Sequence, residues 1–166
     1  KKHGVFEDTF LVFTSDNGPE GHHEFGTFNT SDSPYDDSRF RGSTGGLKGR
    51  KRHTHDGGTR VPCVVSWPNE FKRNDVKVGG ACAVPVIGTD LFNTTLEAAG
   101  VSVPSDRVLD GASFLPLLQN KDFKRPRPLY WRNGFHEFRV ALRDGAWKLL
   151  ANTDLSKFQL FNIELD

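Results

Sequence analysis

The chain has 166 residues, enough for one sizeable core or one core with a small appendage. Its 36% hydrophobic and 26% charged residues exclude a disordered polymer. The 22 basic residues nearly balance the 21 acidic ones, so net charge gives no general case for nucleic-acid or membrane binding. No apolar run approaches the roughly 20 residues of a membrane span. Cys63 and Cys82 lie in the apolar stretches VPCVVSW and GACAVPV without Cys-x-x-Cys spacing. That excludes a zinc or redox motif, and two buried thiols are expected rather than a disulfide. No signal sequence is visible and Met is absent. The polar start KKHGVFEDTF and the end LFNIELD read as cut ends of a longer protein, so the missing signal says nothing of compartment.

Residues Thr9 to Thr14 form a continuous apolar run, as expected of a strand buried on both faces of a parallel sheet. From Asn17 to Gly58 no period is visible, and a structureless loop is expected, disordered over NTSDSPYDDSR and functional at its two ends. Val61 to Trp67 reads as the next strand, closed by Pro68, and Val84 to Ile87 as a short apolar segment. In GTDLFNTTLEAAGV, Thr89 or Asp90 can cap a helix that buries Leu91, Thr95, Leu96 and Ala99 and stops at Gly100. LDGASFLPLLQN predicts a turn and one helical turn before the basic linker Lys121 to Pro128. Beyond it, PLYWRNGF, FRVALRDGAWKLLAN and KFQLFNIELD alternate apolar and polar residues, with turn signals at Asn133-Gly134 and Asp144-Gly145. The expected organisation is an α/β part over residues 1–120 and the start of an antiparallel β subdomain over 121–166.

The first chemical signal is FLVFTSDNGPEG. A strand ends there on Asp16 and Asn17, and Gly18-Pro19 breaks the chain. Asn-Gly is a common tight turn, but Pro19 and a long loop follow in place of a partner strand. Ligand sites in open α/β sheets lie beyond the carboxyl ends of strands, and Asp and Asn both offer hard oxygens suited to Ca²⁺ or Mg²⁺. The second signal is GGLKGRKRHTHDGGTRVP, where Lys48, Arg50, Lys51, Arg52, His53 and His55 stand between glycines. It is either a solvated basic loop or a site for an oxyanion such as sulfate or phosphate, and it lacks the Walker pattern. His22, His23 and Glu24 do not form His-Glu-x-x-His, which excludes that zinc motif. They are exposed loop residues or, if the loop folds over a site, contacts to substrate; the same holds for His53 and His55. Asn29-Thr-Ser and Asn93-Thr-Thr match the glycosylation pattern. The loop residue Asn29 is the candidate, and Asn93, in a predicted helix, is not.

Taken in order, VFTSDNGP, GGLKGRK and DGGTRVPCVVSWP resemble the sulfatase family of the alkaline-phosphatase-like superfamily. GTDLFNTTLEAAGV, LDGASFLPLL, VALRDGAWKLL and LFNIELD continue the likeness along nearly the whole chain. The resemblance implies an α/β fold: the C-terminal part of a mixed sheet sandwiched by helices, followed by a small antiparallel β subdomain. It implies that Asp16 and Asn17 ligate one Ca²⁺, and that Lys51, five residues before the acidic-Gly-Gly step at Asp56, binds the sulfate. The family usually carries Glu where Asp56 stands. Lys48, in the GLKG run, reads as structural or peripheral.

The family's nucleophile is a formylglycine made in a Cys/Ser-x-Pro-x-Arg motif. Neither Cys63 nor Cys82 fits that motif, so the nucleophile and the remaining metal ligands are expected upstream. The chain alone is then expected to be inactive. The implied partner is a sulfated carbohydrate or an aryl sulfate, with no nucleic acid, and the implied location is secreted, periplasmic or lysosomal. A phosphodiesterase or phosphonate hydrolase of the same superfamily is an alternative. So is a non-catalytic module that binds acidic polysaccharide through the basic stretch Arg39 to Arg60.

Overall fold

A computed structural model of the chain describes residues 2–20 and 42–165. His22, His23, Glu24 and Asn29, and the stretch read as disordered, lie outside the described residues. The chain divides into two compact units, Lys1–Phe13 with Cys63–Arg127, and Thr14–Pro62 with Pro128–Asp166.

In the first unit, a 3-10 turn (Phe6–Asp8) leads into β1 (Leu11–Thr14), which pairs with β2 (Cys63–Ser66). Helix α2 (Pro68–Arg73) starts at once on Pro68, whose fixed φ suits a first helical turn. Helices α3 (Asp90–Ala98) and α4 (Leu115–Leu118) follow. Phe114, Leu115 and Leu118 form the buried core, with Phe10, Val65, Trp67, Phe71 and Leu91 packed against it. The fully buried Asp90 binds this unit together. Its carboxylate accepts the Ile87 N–H at 2.9 Å and the Ala112 N–H at 2.8 Å and pairs with Arg125. Thr94, equally buried, accepts the Phe114 N–H at 3.0 Å. Gly100, at φ 66°, ends α3, and its N–H donates to the Glu97 carbonyl.

Three expectations are corrected in this unit. The β1 run is not buried on both faces within this chain: Leu11, Phe13 and Val64 are exposed, since among the described residues β1 is paired with β2 alone. Cys63 and Cys82 are exposed rather than buried, and neither is in a disulfide. The inner face of α3 is Asp90, Leu91, Thr94 and Ala98, while Thr95 and Ala99 face out. The polar residues Asp90 and Thr94 took the inner positions because each satisfies backbone N–H groups there, which an apolarity count does not register. The short apolar segment Val84 to Ile87 contributes Val86 to the core.

In the second unit, β3 (Leu129–Arg132), β4 (Val140–Asp144), β5 (Trp147–Ala151) and β6 (Phe158–Asn162) form an antiparallel meander in chain order, as the alternation predicts. Pairing of Ala141 with Leu150 and of Arg143 with Lys148 puts these four on one face. Leu129, Ala141, Lys148 and Leu150 are buried on it. The turn between β4 and β5 is Gly145-Ala146, one residue past the expected pair, with Gly145 at φ 55°. Asn133-Gly134 opens a longer loop, closed by the Asn133 N–H on the Arg139 carbonyl at 2.9 Å.

The stretch expected to lack structure contains α1 (Asp56–Thr59), a single turn. The basic loop belongs to this second unit and lies on the inner face of the meander. The buried Thr54 hydroxyl donates to the Phe138 carbonyl at 2.8 Å.

Candidate active site

The second unit holds every described residue singled out for chemistry. β1 ends at Thr14, whose hydroxyl donates to the Pro62 carbonyl at 2.9 Å, and the chain then turns through Ser15, Asp16 and Asn17. Asp16 is exposed, and one of its oxygens accepts the Asn17 N–H at 3.0 Å. The Asn17 Nδ2 donates to the Gly18 carbonyl at 3.1 Å, which leaves Oδ1 as the acceptor end of that amide.

Gly18 docks this tip onto α1: its N–H donates to the Gly58 carbonyl at 2.9 Å. A Cβ on Gly18 would lie 1.8 Å from the Gly57 oxygen, so only glycine permits the approach. A Cβ on Gly57 would in turn lie 2.2 Å from the Gly49 oxygen. The glycines of Asp-Asn-Gly and Asp-Gly-Gly are therefore one packing device. It lays the strand tip and the basic loop against the same helical turn.

A cavity of about 700 Å³ results, with Asn17, Glu20, Ser43, Lys51 and Arg60 in its lining. Asn17 and Lys51 thus both line this cavity, whereas Asp16 does not. The Lys51 N–H donates to the Pro19 carbonyl at 3.0 Å, and its ammonium lies 3.7 Å from Glu20. Glu20 also binds the Arg52 guanidinium. Burial pushes the Glu20 carboxyl upward, but Arg52 and then Lys51 outweigh it and hold the group below the usual carboxylate range.

His53 and His55 do not line the cavity that Lys51 lines. His53 stacks on His136 with ring centroids 3.8 Å apart, and His55 meets the edges of Phe138 and Phe161 while its Nε2 lies 3.1 Å from the Gln159 side-chain oxygen. Burial lowers the pKa of His53, His55 and His136, and neighbouring positive charge lowers each further. Lys48 lies with its ammonium 5.2 Å above the Phe161 ring.

Sequence reasoning missed Glu20 and Lys148. The Lys148 ammonium is buried, 2.6 Å from Asp56 and 2.9 Å from the Thr59 hydroxyl, with the Trp131 ring 4.9 Å away. Burial lowers its pKa, and the Asp56 carboxylate works against that. Strand parity could have found it, since Lys148 falls on the same face as Leu150. No comparable signal marks Glu20, which is one exposed-looking acid in a loop.

Asp16 and Asn17 are hard oxygen donors of the kind Ca²⁺ takes, but two side chains fall short of its roughly 6–8 oxygens. Among the described residues no three His, Cys, Asp or Glu side chains converge as a metal site. Nor, among them, is any helix long and apolar enough to cross a membrane.

Comparison with known proteins decides the family: the sulfatase family model matches residues 1–101. The chain belongs to the sulfatase family. Similar curated sulfatases include mouse steryl-sulfatase, 36% identical over 116 residues, covering 70% of this chain and 16% of that protein. Rat N-acetylgalactosamine-6-sulfatase is 31% identical over 161 residues, covering 84% of this chain and 27% of that protein. An uncharacterised sulfatase of Escherichia coli K12 is 33% identical, covering 79% of this chain and 20% of that protein. This sulfatase chain therefore spans about a sixth to a quarter of the length of these relatives. A solved structure from work on glycosaminoglycan metabolism by Bacteroides thetaiotaomicron superposes with a TM-score of 0.64 at 22% identity, covering 98% of this chain and 34% of that one. The fold likeness is thus to part of that structure, and the chain's own mixed α/β segment followed by a four-stranded antiparallel sheet agrees with the C-terminal part of a sulfatase that the sequence predicts.

Proposed function

We propose that the protein containing this chain hydrolyses sulfate esters of a carbohydrate or an aryl alcohol, with Lys51 as the sulfate-binding cation. The observation that carries the reading is the common cavity: the packing of Gly18 on Gly57 and Gly58 brings Asn17 and Lys51 into the lining of one cavity. A cation there offsets charge on a transferring sulfuryl group, most strongly in the transition state. Glu20 holds the Lys51 ammonium in place and is displaced by the incoming anion. Arg60, in the same lining, adds positive charge that steers anions inward.

Asp16 and Asn17 would supply two of the oxygens of a Ca²⁺ site completed from outside this chain. That ion would polarise the sulfuryl oxygens when bound. The formylglycine nucleophile is expected in the remainder of the protein, so this chain alone is expected to be inactive. A secreted, periplasmic or lysosomal location fits the same reading. The experiment is to assay the full-length protein on 4-nitrophenyl sulfate and on 4-nitrophenyl phosphate, with calcium present and after chelation. The reading expects preference for the sulfate and loss of turnover on chelation; preference for the phosphate overturns it.

A further inference from the structure

A second cavity, of about 300 Å³, lies between the basic loop and the inner face of β5 and β6. Its apolar lining is Leu47 from the loop, Leu150 from β5, Phe161 from β6 and Ile163 beyond it, and charged side chains of the loop and β5 complete it. This volume is at the lower end of the roughly 300–1,000 Å³ typical of small-molecule sites. Neither Asn17 nor Lys51 takes part in it.

The charges in the lining are unequal. Lys48, Arg60 and Lys148 face Asp56 alone, with His55 beside them. Lys148 and Asp56 are bound to each other at 2.6 Å, so that pair is internally compensated. Arg60 reaches Asp56 only at 3.9 Å and stays exposed. The Lys48 ammonium stands over the Phe161 ring at 5.2 Å, where the aromatic face holds it beside the cavity. Burial lowers the His55 pKa and so favours its neutral ring.

A hollow with apolar residues on one side, the Lys48 ammonium beside it and Arg60 only loosely paired with Asp56 at 3.9 Å fits a ligand with an anionic group and a compact hydrophobic body. A neutral hydrocarbon would leave the cations unused.

We propose that this cavity is a binding site for an amphipathic organic monoanion (an aryl or alkyl sulfonate, sulfate or carboxylate) separate from the wall that holds Lys51. The apolar body occupies the space between Leu150, Phe161 and Ile163, and the anionic group is met by Lys48 and Arg60. Because Arg60 and Leu47 line both cavities, occupancy here lies next to the proposed sulfuryl site and shares those two residues with it, but neither Asn17 nor Lys51.

The test is calorimetric titration of the full-length protein with 2-naphthalenesulfonate at neutral pH and low salt. Saturable binding is expected, at least tenfold tighter than that of uncharged 2-naphthalenemethanol. Lys48→Gln, at an exposed position, should weaken it at least fivefold. Ile163→Trp, which fills the hollow, should abolish it, with circular dichroism checking the fold. Lys51→Ala should leave it within twofold. Equal binding of the neutral probe overturns the proposal, as does indifference to Lys48→Gln. Loss of binding in Lys51→Ala also overturns it, by placing the probe in the first cavity. None of these outcomes depends on whether the protein turns over sulfate esters.

Discussion

Asp56→Asn is the substitution whose cost the structure bounds most tightly. The Lys148 side chain is 2% exposed and that of Asp56 13% exposed, with 2.6 Å between their charged atoms. The amide keeps the shape of the carboxylate and removes its charge, so Lys148 is left buried with the Thr59 hydroxyl and the Trp131 face. Breaking a buried pair from one side costs about 3–5 kcal/mol. A ceiling comes from protonation: discharging a lysine of normal pKa near 10.4 at pH 7 costs about 4–5 kcal/mol, at 1.36 per unit. We expect about 3–4 kcal/mol.

Lys148→Met is the informative partner. It leaves Asp56 near solvent and 3.9 Å from Arg60, and the thioether chain fills the stem's place. That variant should lose about 1–2 kcal/mol, because a partly solvated carboxylate near a cation is far less penalised than a buried ammonium. The pH dependence separates the two further. In Asp56→Asn the folded state holds the Lys148 proton less tightly than the unfolded chain does. Its stability deficit should therefore shrink as pH rises towards about 10.4. Urea denaturation followed by tryptophan fluorescence, at pH 7 and 9, measures both effects. A cost below about 0.5 kcal/mol for Asp56→Asn, or a larger cost for Lys148→Met, refutes the reasoning.

Further outcomes follow from the same unit. Asp16→Ala and Asn17→Ala in the full-length protein should each lower turnover and raise the calcium concentration needed for half-activity, since each removes an oxygen donor; unchanged calcium titrations would mean a turn and nothing else. Glu20→Gln should tighten sulfate binding several-fold, because it removes the carboxylate that competes for Lys51 and Arg52; competition against turnover by inorganic sulfate reads it. Stability should fall as pH drops from 7.5 to 5. His53, His55 and His136 have folded pKa values lowered from 6.5, so the unfolded chain takes up protons first. His136→Phe keeps a ring against His53 and removes one titrating group, so denaturation midpoints across that range should change less steeply.

Much of this architecture is written in period and punctuation. Strict alternation from Pro128 onward specifies four strands, and Gly100 and Pro68 mark helix boundaries through their backbone constraints. Asp16 and Asn17 stand out as hard oxygen donors at a strand tip, whereas Lys51 is singled out among the cations of its loop only by the resemblance. What brings Asn17 and Lys51 together is the fit of Gly18 against Gly57, a non-local contact that no local pattern encodes. His53 and His55 look like ligands because they flank Lys51, yet alternate residues in an extended loop need not share a direction. Both turn to aromatic partners some eighty residues or more along the chain, in the β3–β4 loop and β6. Asp90 and Thr94 upset the expected helix face for a similar reason. Their value lies in backbone N–H groups contributed from elsewhere, so hydrophobicity alone misplaces them.

The central claim is that Lys51, among several cations of one loop, meets the sulfuryl group. Four alanine variants of the full-length protein, at Lys48, Arg50, Lys51 and Arg52, test it by turnover and Michaelis constant on an aryl sulfate. Lys51→Ala should lower kcat by about 10²–10³, the range for loss of one oxyanion-stabilising donor. The Lys48 and Arg52 variants, whose cations stand over Phe161 and against Glu20 and Phe135, should stay within about tenfold. If Lys48→Ala or Arg52→Ala is as damaging as Lys51→Ala, or if all four are mild, the assignment of the sulfate-binding cation is contradicted.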